Sequence, residues 1–467
     1  MTPDRQHWWV LTVVALAQLM VVLDATIVNI ALPAAQADLG FGDEDRQWVV
    51  ISYSLAFGSL LLVGGRLNDR LGARTGFVIG LAGFAIASAV GGWADGLTTL
   101  VAARAAQGVF GALLAPAALS LLSTTFRGTK HQGRAFGVYG AVAGGGGAIG
   151  LLLGGVLTDL VSWRWCLFVN VVIAVVVIVG ALVCLPATTT RAVSERTDWL
   201  GTVLVVTGLF ALVLGFGRSE VLGWSNATTI GSLAAGVTLL VAFVFVQART
   251  RTPLLPLTIL RSRVRGTSYL VMLLAAVGMF SVYLFLAYYL QRTLGFSPVL
   301  AGVAFLPMAV SVAIGSAASG AALVPRFGIR IPVAAGSALA AAGFLYLTGI
   351  GGDYATTVLP GLIMAGLGLG AVFGSAMSSG ADGVPPAQAG IASATVSTTQ
   401  QIGGSIGIAV LTSLSLSASR SGGEMAGYHA AFWGAAAALA LAAVIAAVLY
   451  PRRSASISEP APVRSGS

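Results

Sequence analysis

Asp24 is one of 16 acidic side chains, and it interrupts the apolar run 9–32, where no water would solvate its charge. A carboxyl group inside hydrocarbon is costly and is retained for function. The chemistry open to it is to take up and return one proton, switching its charge. Arg104, in the apolar run 97–122, is the natural counter-charge. Counted from the far ends of their runs, Asp24 lies about eight residues in and Arg104 about seven, a depth of roughly 12 Å for each. Gln107, one turn beyond Arg104, extends a polar stripe, which argues against an arginine that snorkels to the headgroups. These residues read as a proton-coupling pair, Asp24 with Arg104, in which protonation of the acid releases the arginine. The alternative is a purely structural polar contact between helices.

The elements that must position this pair follow from composition. Of 467 residues, 57% are apolar and 9% charged, against roughly 25% charged in a soluble domain. The apolar residues form fourteen blocks of the length that crosses a core of about 30 Å. Those used below are 9–32, 47–65, 97–122, 135–157, 390–415 and 428–450. The expected fold is all-α and integral to the membrane. Two six-helix bundles related by a pseudo-twofold are expected at 1–190 and 263–450. Two inserted helices and a linker fall at 191–262, and 451–467 is expected to be a disordered tail.

Of 25 Lys and Arg residues, five (Arg46, Arg164, Arg218, Arg292, Arg420) fall on one side and Arg104 within a helix, leaving 19 on the side of both termini. That side is therefore expected to be cytoplasmic. Gly64 to Arg74 recurs at Gly320 to Arg330, with Gly, Leu, Arg, Gly and Arg in register. Each copy follows the second helix of a set of six, an arrangement of carriers whose substrate site lies between two repeats.

Three further groups carry chemistry. Gly65, Asp69, Arg70 and Arg74 lie in the turn after 47–65. A carboxylate at the start of the third helix would meet its positive dipole end, and the arginines can bridge to neighbouring helix ends; positive-inside topology alone accounts for Arg74. Gly146, Gly150 and Gly154 are spaced by four on one face of 135–157, with Gly155 beside them. Small residues allow close helix approach, and this face is expected to meet the other bundle. Asn29, Tyr53, Gln107, Tyr283, Gln400 and Gln401 are the candidates for a cavity holding a flat, amphipathic molecule. The alternative for the tyrosines, above all Tyr288 and Tyr289, is anchoring at the membrane boundary.

Other classes are disfavoured. The net charge of +9 sits in short clusters between apolar blocks, so nucleic acid is not expected as a partner. Two cysteines and three scattered histidines make no metal site, and no cofactor is expected. Gly144 to Gly147 lacks the Lys-Ser/Thr of a phosphate loop. Gly403-Gly404-Ser405-Ile406-Gly407 has nucleophile-elbow spacing but lies in a helix without a nearby histidine. An enzyme is not expected, and an ion gradient is the expected energy source.

The chain resembles the major facilitator superfamily, and within it the fourteen-helix drug:proton antiporters of the QacA-like group. The resemblance rests on Leu23 to Pro33 in the first helix, Gly65 to Arg74, and Leu100, Arg104, Gln107, Gly108, Gly111 and Ala112 in the fourth. It also rests on Gly137, Gly146, Gly150, Gly154 and Gly155, on Trp163 to Asn170, on Tyr289 to Pro307, and on Gly390 to Gly407. It departs at Leu151, where the group has proline, and in having no acid between 390 and 415. The resemblance implies a proton-coupled exporter of amphipathic drugs, dyes or antibiotics, working by alternating access as a monomer in the bacterial inner membrane. It also implies that the Gly65–Arg74 segment locks the outward-facing state. The competing expectations are an importer or uniporter of a small metabolite and, from another class, a non-transporting membrane receptor or scaffold.

Overall fold

The computed structural model describes residues 3–185, 198–250, 252–385 and 388–451. Most of the linker expected after residue 185, and the tail from 452, lie outside these. The described residues are helical throughout, with short turns. The first six helices are α1 (Pro3–Leu39), α2 (Asp43–Leu71), α3 (Ala73–Gly92), α4 (Leu97–Phe126), α5 (Gln132–Leu160) and α6 (Trp165–Cys184). Next come α7 (Trp199–Leu222), α8 (Ala227–Arg249) and the short α9 (Leu257–Arg261). The last set begins with α10 (Arg263–Ser281), which runs on through π-helical turns to Thr293. It continues with α11 (Pro298–Ala304), α12 (Leu306–Ala318), α13 (Val324–Phe327), α14 (Arg330–Leu347), α15 (Leu359–Ala381) and α16 (Ala389–Leu449).

Among the described residues, 13 helical stretches are long and apolar enough to cross a membrane. The last of them, α16, has 61 residues. A straight helix of that length would span about 90 Å, three times the hydrocarbon core. Gly423 breaks it with φ of 77°, a left-handed conformation that glycine adopts without strain. The chain reverses there: Gly434 lies against Leu411 and Leu414, and Gly427 against Ser415 and Ser419. α16 is thus two antiparallel limbs, which makes fourteen membrane-length segments among the described residues and brings the start of the first and the end of the last to one face.

Packing repeats between the halves. α2 and α3 pack on α4, and α1 on α5; likewise α12 and α14 pack on α15, and α10 on α16. Two seams join the halves, α5 against α12 and α15, and α2 against the first limb of α16. α7 and α8 pack on each other, and α7 also touches α2 and α16.

α1 overshoots its expected end at residue 32 and runs to Leu39. Its far end is fastened to the start of α6, where Trp163 Nε1 donates to Asp38 Oδ2 at 3.0 Å and Arg164 pairs with the same oxygen at 3.2 Å.

Candidate functional site

Asp24 is fully buried and accepts three hydrogen bonds. Arg104 Nη1 donates to Oδ2 at 2.6 Å, Gln107 Nε2 to Oδ1 at 2.9 Å, and Asn170 Nδ2 to Oδ1 at 2.7 Å. The arginine is held in turn. Its Nη1 also donates to Gln107 Oε1 at 2.8 Å and its Nε to the Val49 carbonyl at 3.3 Å. Its guanidinium lies 4.5 Å from the centre of the Tyr53 ring, which stacks on Phe57. Gln107 Nε2 also donates to Ser88 Oγ at 2.7 Å. Five helices therefore meet in one hydrogen-bonded cluster, with α4 and α6 donating to the carboxylate of α1. A pair this deep survives only if its remaining hydrogen-bonding capacity is met, and the amides and the ring supply that.

The cluster lies inside the first six helices, not in the seam between halves. Helical spacing explains why: Arg104 and Gln107, three apart, share the face of α4 that looks toward α1, α2 and α3. Tyr53 and Gln107, expected in a substrate cavity, belong instead to this ionic cluster. Arg104 lies two turns into α4, Asn170 little more than one turn into α6, and Ser88 one turn before the end of α3. The cluster is thus within roughly 10 Å of the helix ends opposite the termini. Neither Asn170 nor Ser88 is among the site residues expected from the sequence. An amide inside the very apolar α6 was the available signal for Asn170; a serine on a helix carries none.

On the face of the termini the halves touch. Asp69 sits in the last turn of α2, not at the start of α3, because α2 continues to Leu71 and Gly72, with φ of 86°, makes the turn. Its carboxylate accepts the backbone N–H of Gly390 at 2.8 Å and of Ile391 at 3.2 Å, capping the first limb of α16. The positive helix end it meets therefore belongs to the other half. Gly65 lies one turn earlier on the same seam, and a Cβ there would fall 2.7 Å from the Gly390 carbonyl and onto Ala394. The second seam repeats this crossing: Gly133 of α5 and Gly320 touch backbone to backbone with no room for a side chain on either. Gln132 Nε2 also donates to Asp382 Oδ2 at 2.9 Å. Arg74 stays within the first half, donating to the Leu182 carbonyl near the end of α6 at 3.0 Å, and Arg70 is half-buried in the last turn of α2.

The helix-five glycines divide between two faces. Gly146 meets Leu19 and Val22, Gly150 meets Leu23 and Thr26, and Gly154 meets Ile27 and Ile30, all on α1. The stripe spaced by four therefore packs within its own half, contrary to expectation. Gly133, Gly137, Gly140 and Gly144, together with Gly155, face the other half. Both faces of α5 are smooth, so its sequence alone did not say which neighbour each meets.

Of the remaining cavity candidates, Tyr283 reaches across a seam and donates to the Gly144 carbonyl at 2.8 Å. Gln401 lies against Gly58 of α2, and Gln400 is half-buried beside it. The side chain of Asn29 lies outside the described residues.

Two packed helical halves, with glycine crossings at both seams and a fully buried ion pair, have the architecture of a membrane carrier. The chain belongs to the Major Facilitator Superfamily, which matches residues 14–408. It is 47% identical over 420 residues to the puromycin resistance protein pur8 of Streptomyces alboniger, covering 89% of this chain and 83% of that one. It is 39% identical to the cephamycin export protein CmcT of Amycolatopsis lactamdurans, over 85% of this chain and 83% of that one. With the tetracenomycin C resistance and export protein of Streptomyces glaucescens it shares 35%, over 88% and 76%. The fold is similar to that of the human organic anion transporter MFSD10, with a TM-score of 0.69, 16% identity, and coverage of 94% of this chain and 99% of that one.

Proposed function

We propose that this protein exports amphipathic antibiotics or related drugs, driven by inward proton flow through Asp24. The observation that carries the reading is the buried Arg104–Asp24 pair at 2.6 Å, in a chain whose relatives are named for antibiotic resistance and export. Protonating Asp24 removes the counter-charge of Arg104, which has no route to water as long as the first half keeps its packing. That packing must therefore rearrange, and this links proton loading to movement. The position of the cluster near the ends opposite the termini favours loading from the outer side. The N-terminal bundle is placed at 1–190 and the C-terminal bundle at 263–450, with α7 and α8 as an inserted pair between them. The protein is taken to act as a monomer in the plasma membrane with both termini in the cytoplasm. Substrate would be held between the bundles by Tyr283, Gln400 and Gln401.

Inverted vesicles test this reading. With an imposed proton gradient they should accumulate puromycin or a fluorescent cationic dye, and a protonophore should abolish the uptake. Uptake indifferent to the gradient, or flux in the opposite direction, would favour a uniporter or importer.

Gly65 and Asp69 form the lock on the cytoplasmic side in this scheme. A helix cap is worth about 1 kcal/mol, so Asp69→Ala should shift the gate about fivefold toward its cytoplasm-open state. Asp69→Asn keeps an accepting oxygen and should retain most of the cap. Spin-label distances between Thr75 and Arg326, both exposed on that face, provide the readout. Equal distance distributions in wild type and Asp69→Ala would remove Asp69 from the gate.

A further inference from the structure

A cleft of about 460 Å³ opens between α9, α10 and the first limb of α16, on the face of the termini. Its mouth carries Arg261, Ser262 and Arg263, and no acidic residue lines it. Arg263 is fixed at the rim, donating to the Leu449 carbonyl at 2.7 Å and to that of Val448 at 3.3 Å. Arg261 is exposed and makes no hydrogen bond or ion pair with another described residue. Further in, the wall is Leu270 and Leu273, with Thr399 opposite. Leu273 lies ten residues along α10 from Arg263, about 15 Å, which is half the thickness of a hydrocarbon core of about 30 Å. The cleft is therefore cationic at headgroup level and apolar through the depth of one leaflet. A water-soluble anion would leave that apolar depth unfilled, and a zwitterionic phospholipid would bring its headgroup cation against Arg261 and Arg263 with no acidic residue in the lining to receive it.

We propose that this cleft binds one anionic phospholipid of the termini-side leaflet. Arg261 and the Ser262 hydroxyl hold the headgroup phosphate, and an acyl chain lies along Leu270 and Leu273. The bound lipid leans on the limb of α16 whose first turn Asp69 caps. The assignment does not depend on what the protein transports.

Native mass spectrometry of the full chain, with defined dioleoyl-phosphatidylglycerol or phosphatidylcholine added, tests it. The protein should retain phosphatidylglycerol in preference to phosphatidylcholine. Arg261→Gln should weaken that retention about fivefold, the effect of one cation at a charged membrane surface. Leu270→Trp, which fills the apolar wall, should displace the lipid without lowering the melting temperature. Arg326→Gln removes a charge on the same face that lines no part of the cleft and should leave retention unchanged. Equal loss in Arg261→Gln and Arg326→Gln would overturn the site in favour of a diffuse surface charge. Equal retention of the two lipids would overturn the charge recognition. Stabilisation by inorganic phosphate as large as that by phosphatidylglycerol would overturn the lipid as occupant.

Discussion

Asp24→Asn is expected to reduce proton-driven efflux to the level of vesicles lacking the protein while leaving substrate binding intact. Asparagine has nearly the shape of aspartate but no charge to give up, so it holds the cluster in the equivalent of the protonated state. Its oxygen can still accept from Arg104, and the Asn170 amide, whose Oδ1 is buried without a partner, can turn to receive the new N–H. The local hydrogen bonds can be remade, but the charge balance is lost, which biases the packing toward the arrangement of the protonated state. Removing one partner of a buried pair costs about 3–5 kcal/mol, so a lower melting temperature in detergent should accompany the loss. The decisive comparison is between modes of transport. Exchange of labelled for unlabelled substrate, which needs no net proton movement, should persist in the variant, whereas flux driven by a pH gradient should not. Full gradient-driven efflux by Asp24→Asn would show that the proton travels elsewhere, and the buried pair would then be structural.

Gly133→Val should have the second large effect, on the balance between conformations. A side chain at Gly133 meets the Gly320 backbone, and neither helical segment of the crossing can yield as a flexible side chain would. Overpacking of this kind costs about 2 kcal/mol, or roughly thirtyfold in the equilibrium between closed and open arrangements. The Thr75–Arg326 distance should lengthen and efflux should fall in proportion. Gly390→Val, at the equivalent crossing, should act in the same direction, since a side chain there meets Gly65 and the Asp69 carboxylate. Retention of the wild-type distance distribution in both variants would mean that these crossings do not govern the gate.

The two crossings are related by the internal repeat but are not chemically equal. Where the first copy carries Asp69, the second carries Pro325, which can accept nothing through its side chain. One seam is thus held by hydrogen bonds from a helix end to Asp69, the other by close backbone contact and the Gln132–Asp382 bond. Asp69→Ala and Gly133→Val therefore test different locks.

Much of this protein is written in one dimension. Runs of apolar residues long enough to cross the hydrocarbon core fix where the chain crosses, because a helix satisfies its own backbone there. Charges are rare enough within those runs that Asp24 and Arg104 stand out, and their similar depth, with the placement of helices one and four that the family resemblance implies, pairs them. What the sequence could not decide is who stands beside whom. Matching depth does not say that Asn170 donates to the carboxylate and Ser88 accepts from Gln107, or that Tyr53 and Gln107 turn into the first half instead of a cavity. The glycines of α5 offer two smooth faces, and only the placement of α1 and α12 assigns them. Asp69 reads as a cap for the next helix in the chain, yet it caps one 321 positions further along. Hydropathy and periodicity report how each helix meets solvent or lipid, whereas these contacts depend on which helices are neighbours, and that is settled by the packing of all fourteen crossings together.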